Sequence, residues 1–162
     1  MMIRYRNIRI EDIPAVKAWP PYPPEFAGLD YSLRDGGWLD EYYPKPGTDI
    51  IVAEKAGSVA GFAILAREPP AGAELRIALH PEKLGQGFGK ALARMMLLHG
   101  FTKPDIDTIR LIVRKNNLRA RKLYCDLHFR NTGECIEEIL GEEIAFDRME
   151  LDKTTFFEET LR

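Results

Sequence analysis

Between residues 88 and 98 apolar residues recur at 88, 91, 92, 95, 96 and 98, a helical spacing. That pattern predicts a helix over Gly87–His99, with Gly100 at its C-cap and Pro104 beyond. NNLRARKLYCDLHF, 116–129, predicts a second helix with Asn117 as its N-cap. Near the start, EDIPAVKAW reads as a short helix entered through Glu11–Asp12. PPYPPEF, 20–26, holds four prolines, which predicts that the chain leaves that helix and runs extended. A further helical stretch is predicted over 31–43, weakened by Gly36–Gly37 and closed by PKPG at 44–47.

Elsewhere the period is two. Residues 2–10 alternate like a strand, and DIIVAE (49–54) pairs with SVAGFAILARE (58–68) in a hairpin turning at Ala56–Gly57. ELRIALH, 74–80, is a strand stopped by Pro81, and TIRLIVR, 108–114, places Ile109, Leu111 and Val113 on one face. CIEEIL and EIAFDRMEL make a second hairpin turning at Gly141. TTFFEETLR is a polar end whose two phenylalanines pack back on the sheet. The order β, α, (α), β, β, β, α, β, α, β, β predicts an α/β (α+β) layer fold on a mixed sheet. No repeat or linker divides it, so residues 1–162 are expected to form one domain.

Composition narrows the function without naming it. A chain of 162 residues can bury roughly 70% of its unfolded surface. With 23 Lys+Arg against 25 Asp+Glu, the net charge of -2 gives no global attraction to nucleic acid or anionic lipid. MMIRYRNIRI lacks the continuous apolar core of a signal peptide, and no run reaches the ~20 apolar residues of a membrane span. Cys125 and Cys135 fit neither a redox CxxC nor a zinc pair, and His80, His99 and His128 form no metal spacing. A reduced cytoplasmic protein without metal or membrane is the expectation. The basic stretch from Arg114 to Lys122 reads as a solvated face or the neighbour of a bound phosphate, not as a nucleic-acid surface.

HPEKLGQGFGKAL places three glycines in five positions at the mouth of the predicted helix. The dinucleotide pattern GxGxxG fails because its third glycine would fall on Lys90, and GxxxxGK[ST] fails at Leu84 and Ala91. What fits is a strand ending at x-Pro, a short loop, then GxG opening a helix. Amide N–H groups at a helix start are unpaired and carry the positive end of the dipole. Glycines let a pyrophosphate approach them without a Cβ in the way. The plainer alternative is a tight strand-to-helix turn.

At this point the chain resembles the GNAT superfamily of N-acetyltransferases, whose phosphate loop runs [RQ]xxGx[GA] after a strand ending in x-Pro. Here Leu79-His80-Pro81 stands for the strand end, and Gly87 and Gly89 for the small residues; Leu84 departs from the usual Arg or Gln. Asn117-x-x-Ala120-x-x-Leu123-Tyr124 is similar to the family's later motif, with His128 where glycine is usual. The first strand and helix and the closing FDRMEL strand also match, while residues 18–48 match least. The resemblance implies a mixed, mostly antiparallel central sheet of six to seven strands flanked by about four helices.

It also implies acetyl-CoA as donor. Leu79 would pair its backbone with the pantetheine, and Leu84, Gly85, Gln86, Gly87, Phe88, Gly89 and Lys90 would wrap the pyrophosphate. Asn117 would touch the pantetheine, and Tyr124 would protonate the departing thiolate. Glu74 is the candidate base, directly or through water, with a solvated edge carboxylate as the alternative reading. The position five before the motif Asn, where members acting on protein N-termini often carry Glu, is Ile112. Tyr22, Phe26, Tyr31, Trp38, Tyr42 and Tyr43 are either core or the lining of an acceptor pocket. The acceptor is expected to be a small-molecule or peptide amine, the enzyme a monomer or homodimer. Transfer to oxygen, or of a longer acyl group, stays open. So do an acyl-CoA-binding sensor without turnover and a nucleotide-binding domain of another design.

Overall fold

The computed structural model describes residues 2–161; Met1 and Arg162, the last residue of the expected polar tail, lie outside the described residues. Seven strands form one sheet in the order β1-β2-β3-β4-β5-β7-β6. They are β1 (Arg4–Asn7), β2 (Thr48–Lys55), β3 (Ser58–Glu68), β4 (Gly72–Leu79), β5 (Thr108–Arg114), β6 (Arg130–Ile139) and β7 (Glu142–Asp152). Helices α1 (Asp12–Lys17), α2 (Trp38–Tyr42), α3 (Phe88–Phe101), α4 (Leu118–Asp126) and α5 (Lys153–Thr155) accompany them. The expected mixed, mostly antiparallel sheet is what forms. β4 pairs with β5 in parallel, in register over Gly72–Glu74 and Thr108–Arg110.

The backbone divides into two compact units, Met1–Arg67 with Arg76–Met96, and Glu68–Leu75 with Leu97–Arg162. In the first, β2 and β3 are apolar on both faces, and their central residues are buried on both. One face of this pair, Ile50, Val52, Phe62 and Ile64, packs with Val16, Trp19, Tyr22, Leu33, Leu39 and Tyr42. Burying a side chain such as Phe62 or Leu33 stabilises the fold by roughly 1.5–3 kcal/mol. The strands approach so closely that a Cβ on Gly61 would lie 2.8 Å from Leu79 Cδ2. On the sheet edge, Arg6 grips Asp12 through two hydrogen bonds of 2.8 and 2.9 Å and Glu54 through a third. The guanidinium beside Asp12 holds its carboxyl below the usual carboxylate range.

In the second unit the β6–β7 hairpin turns at Leu140–Gly141 as expected. β6, the outer strand, is mostly exposed and carries Glu134, Glu137 and Glu138, charges that blunt a sheet edge. Phe156 is fully buried against Phe101, their centroids 5.2 Å apart, in a π-helical turn over Phe156–Thr160 that follows α5. Phe157 stays exposed, so one of the two tail phenylalanines packs inward and the other does not.

Three local expectations are corrected. Gly100 does not end α3, which continues to Phe101. A helical glycine costs about 1 kcal/mol, and burying Phe101 outweighs it. The proline-rich segment is not extended throughout: a 3-10 helix runs Pro24–Leu33, because the fixed φ of proline suits the first position of a helix. The helix expected over 31–43 is cut short, since only Trp38–Tyr42 is α-helical after a break at Arg34–Gly37.

Candidate active site

His80 leaves β4 with its N–H on the Ala60 carbonyl at 2.8 Å, so the strand is still anchored to β3 there. Its imidazole rests against Trp19, and Nδ1 accepts from the Glu82 N–H at 3.0 Å. Burial lowers the His80 pKa and favours the neutral ring this acceptor role requires. A short 3-10 turn, Pro81–Lys83, follows, and then the glycine loop. Gly85 and Gly87 have φ of 74° and 86°, the left-handed region that favours glycine. A Cβ on Gly87 would meet nothing within 4 Å, so the space in front of it is open.

Among the described residues, no hydrogen bond engages the backbone N–H groups from Leu84 through Lys90; the first bond of the helix is Ala91 N–H to the Gly87 carbonyl. A run of unengaged donors thus stands at the start of a 14-residue helix, an arrangement suited to an anion. The Leu84 side chain does not face that space, since it packs against the apolar cluster of the first unit. The Gln86 side chain donates to the Glu82 carbonyl at 2.9 Å, which braces the loop. The Leu79 carbonyl accepts from the Tyr22 hydroxyl at 2.7 Å. Sequence reasoning did not foresee that contact, which spans 57 positions.

The other expected residues lie in the second unit. Glu74 is paired in register with Arg110, and its carboxylate lies 3.7 Å from that guanidinium. Its side chain is only 12% exposed, so the solvated-edge reading does not describe it. Arg110 also makes a two-point contact with Glu68. Asn117 caps α4 as expected, Oδ1 accepting from the Ala120 N–H at 3.2 Å. The loop before it is fixed by buried Asp147, which takes Lys115 Nζ at 2.8 Å and Arg121 Nε at 3.0 Å.

Tyr124 is buried and packs edge-on against Phe129, centroids 5.5 Å apart. Its hydroxyl forms no hydrogen bond among the described residues, and burial pushes its pKa up to about 12. His128 follows with φ 71°, which explains why glycine suits this position. The cleft of about 390 Å³ beside Glu68, Gly72, Thr108, Arg110 and Glu150 contains none of the expected site residues. Among the described residues no group of three or more His, Cys, Asp or Glu is placed to hold a metal. No helix is long and apolar enough to cross a membrane among them.

The sheet is mixed, with β4 and β5 running parallel, and a glycine loop opens the helix that follows β4. The chain belongs to the acetyltransferase (GNAT) family, whose sequence model matches residues 14–129. No curated protein matches it. Among solved structures it is similar to a chimera of the spermidine N-acetyltransferase SpeG from Vibrio cholerae and hSSAT. The TM-score is 0.75 at 22% identity, covering 97% of this chain and 99% of that one. Spermidine/spermine N-acetyltransferase SpeG from Vibrio cholerae in complex with manganese ions gives 0.73 at 23%, covering 96% and 95%. A GNAT-family acetyltransferase from Streptococcus pneumoniae gives 0.71 at 16%, covering 93% and 99%. At these identities the likeness is one of fold.

Proposed function

We propose that residues 1–162 act as one acetyl-CoA-dependent N-acetyltransferase domain whose acceptor is a primary amine of a small molecule or peptide. The observation that carries this reading is the run of unengaged N–H groups from Leu84 through Lys90 at the mouth of α3. Those donors hold the pyrophosphate, and because they belong to the backbone, Leu84 in place of a longer donor does not disable them. The amine nitrogen attacks the thioester carbonyl carbon and the C–S bond breaks. The thiolate sulfur takes the proton of the Tyr124 hydroxyl, and the nitrogen loses its own proton to solvent or Glu74. A phenol raised to about 12 is protonated throughout the neutral range.

The ion pair between Glu74 and Arg110 favours one competing reading, an acyl-CoA-binding sensor without turnover, because it engages the candidate base. Thiol release from acetyl-CoA with a panel of amines separates the two. Amine-dependent release that falls in Tyr124→Phe supports the enzyme. Binding of coenzyme A without release in any amine, unchanged in Tyr124→Phe, supports the sensor. The solved relatives named as spermidine N-acetyltransferases make a polyamine one acceptor class to include.

A further inference from the structure

The β2–β3 hairpin brings a cation to the glycine loop from a part of the sequence that the loop's own pattern does not reach. Lys55 ends β2, opposite Ser58 in the register of the hairpin. β3 in turn holds the end of β4, through the His80 N–H on the Ala60 carbonyl at 2.8 Å. The hairpin turn and the loop therefore lie at one end of the same strands, within the first unit. There Lys55 Nζ stands 5.2 Å from the centre of the Phe88 ring. Phe88 follows Gly87, opens α3 and is buried, so the ring that carries the ammonium is fixed.

Lys55 is half-buried and forms no hydrogen bond or ion pair among the described residues. An aromatic face attracts the charge of an ammonium but leaves its rotatable N–H donors free for an anion. The surrounding charges favour one. Glu54, the preceding residue, is bound by Arg6 at 2.9 Å. Glu82 is exposed on the turn before the loop. From Lys83 through Phe101 the chain carries Lys83, Lys90 and Arg94 and no Asp or Glu. From Leu84 through Phe88 no side chain is charged: Leu84 packs on the apolar cluster, and Gln86 donates to the Glu82 carbonyl. The positive charge beside this part of the loop comes from Lys55.

We propose that Lys55 is a coenzyme-binding residue: held on the Phe88 ring, its ammonium pairs with the diphosphate of coenzyme A seated on the amides from Leu84 through Lys90. The amides fix the phosphate oxygens, and the flexible ammonium neutralises them as a point charge. The proposal rests on the acetyl-transfer reading above and adds to it a side-chain charge supplied from β2.

Its test is calorimetric titration of coenzyme A and of 3′-dephospho-coenzyme A into the unmodified chain and its variants. Lys55→Gln is expected to weaken both ligands about tenfold at about 0.1 M salt, the equivalent of one charge-assisted hydrogen bond. Lys55→Arg, which keeps the charge, stays within about threefold of the unmodified chain. Lys45→Gln makes the same change in net charge beyond the opposite end of the eight-residue β2, farther away than the screening length of about 10 Å. It leaves affinity unchanged. At about 1 M salt, where that length is about 3 Å, the Lys55→Gln deficit shrinks below about threefold, whereas a distorted loop would keep it. Unchanged affinity in Lys55→Gln, an equal loss in Lys55→Arg or Lys45→Gln, or a deficit indifferent to salt overturns the proposal. So does a deficit that disappears with 3′-dephospho-coenzyme A, which would put the ammonium on the 3′-phosphate. If the unmodified chain binds neither ligand, the acetyl-transfer reading falls too; binding that ignores Lys55 sinks this proposal alone.

Discussion

The loop from Leu84 to Lys90 and the segment from Pro20 to Lys45 both lie in the first unit, but they are organised in different ways. Under the proposed function the working groups of the loop are backbone amides; the Leu84 side chain packs on the core and the glycines carry none. In the segment the backbone is a 3-10 turn, a break and a five-residue helix, held together by side chains such as Arg34, which donates to the Lys17 and Trp19 carbonyls. A site built on amides survives substitution of its side chains. A segment organised by side chains does not. Under the proposed mechanism Tyr124 belongs with the second kind, because the role proposed for it resides in one hydroxyl.

The sharpest way to test that contrast is to remove a single functional atom from the side-chain kind. Tyr124→Phe is expected to lower kcat by about 10²–10⁴-fold, the usual contribution of a positioned acid, while coenzyme A binding changes less than about twofold. The pH profile adds a sign. The phenol acts only when protonated and burial raises its pKa to about 12, so kcat loses activity from this group only as pH rises through about 12. A basic limb near pH 10 would show that Tyr124 is an ordinary exposed phenol.

For the backbone kind, Gly87→Val has the next largest effect. Its φ of 86° is strained for any residue with a Cβ, and the new branches enter the open space before the amides. Coenzyme A affinity is expected to weaken about 100-fold, or about 2.7 kcal/mol, by calorimetric titration. Leu84→Ala works the other way round: the side chain packs on the core, so stability falls by about 1–2 kcal/mol while affinity shifts less than about threefold. A large loss of affinity in that variant would mean that the loop depends on its side chains. His128→Gly relieves a left-handed φ and is expected to stabilise the second unit by about 0.5–1 kcal/mol in urea unfolding.

The same contrast explains what the sequence disclosed. β3 at Ser58–Glu68 and β5 at Thr108–Arg114 lie where their apolar patterns put them, and Asn117 caps α4 as its side chain suggests. The glycine loop was readable because left-handed φ values restrict residue choice at the positions themselves. Arg34, which holds the Lys17 and Trp19 carbonyls, could not be read, since those partners lie 17 and 15 positions away. Nor could Arg76, whose rings come from α2. Gly100 does not end α3 because its local preference is overruled by Phe101 packing on Phe156, a contact made 55 positions along the chain. Local backbone demands leave a mark in sequence; distant side-chain meetings do not.

Amide hydrogen exchange across residues 84–90, with and without coenzyme A, probes the donors themselves. The account predicts that the N–H groups of Leu84 through Lys90 exchange freely in the unliganded protein and slow by at least about tenfold on saturation, the protection a bound pyrophosphate would confer. Saturating coenzyme A that leaves those amides unprotected would contradict it.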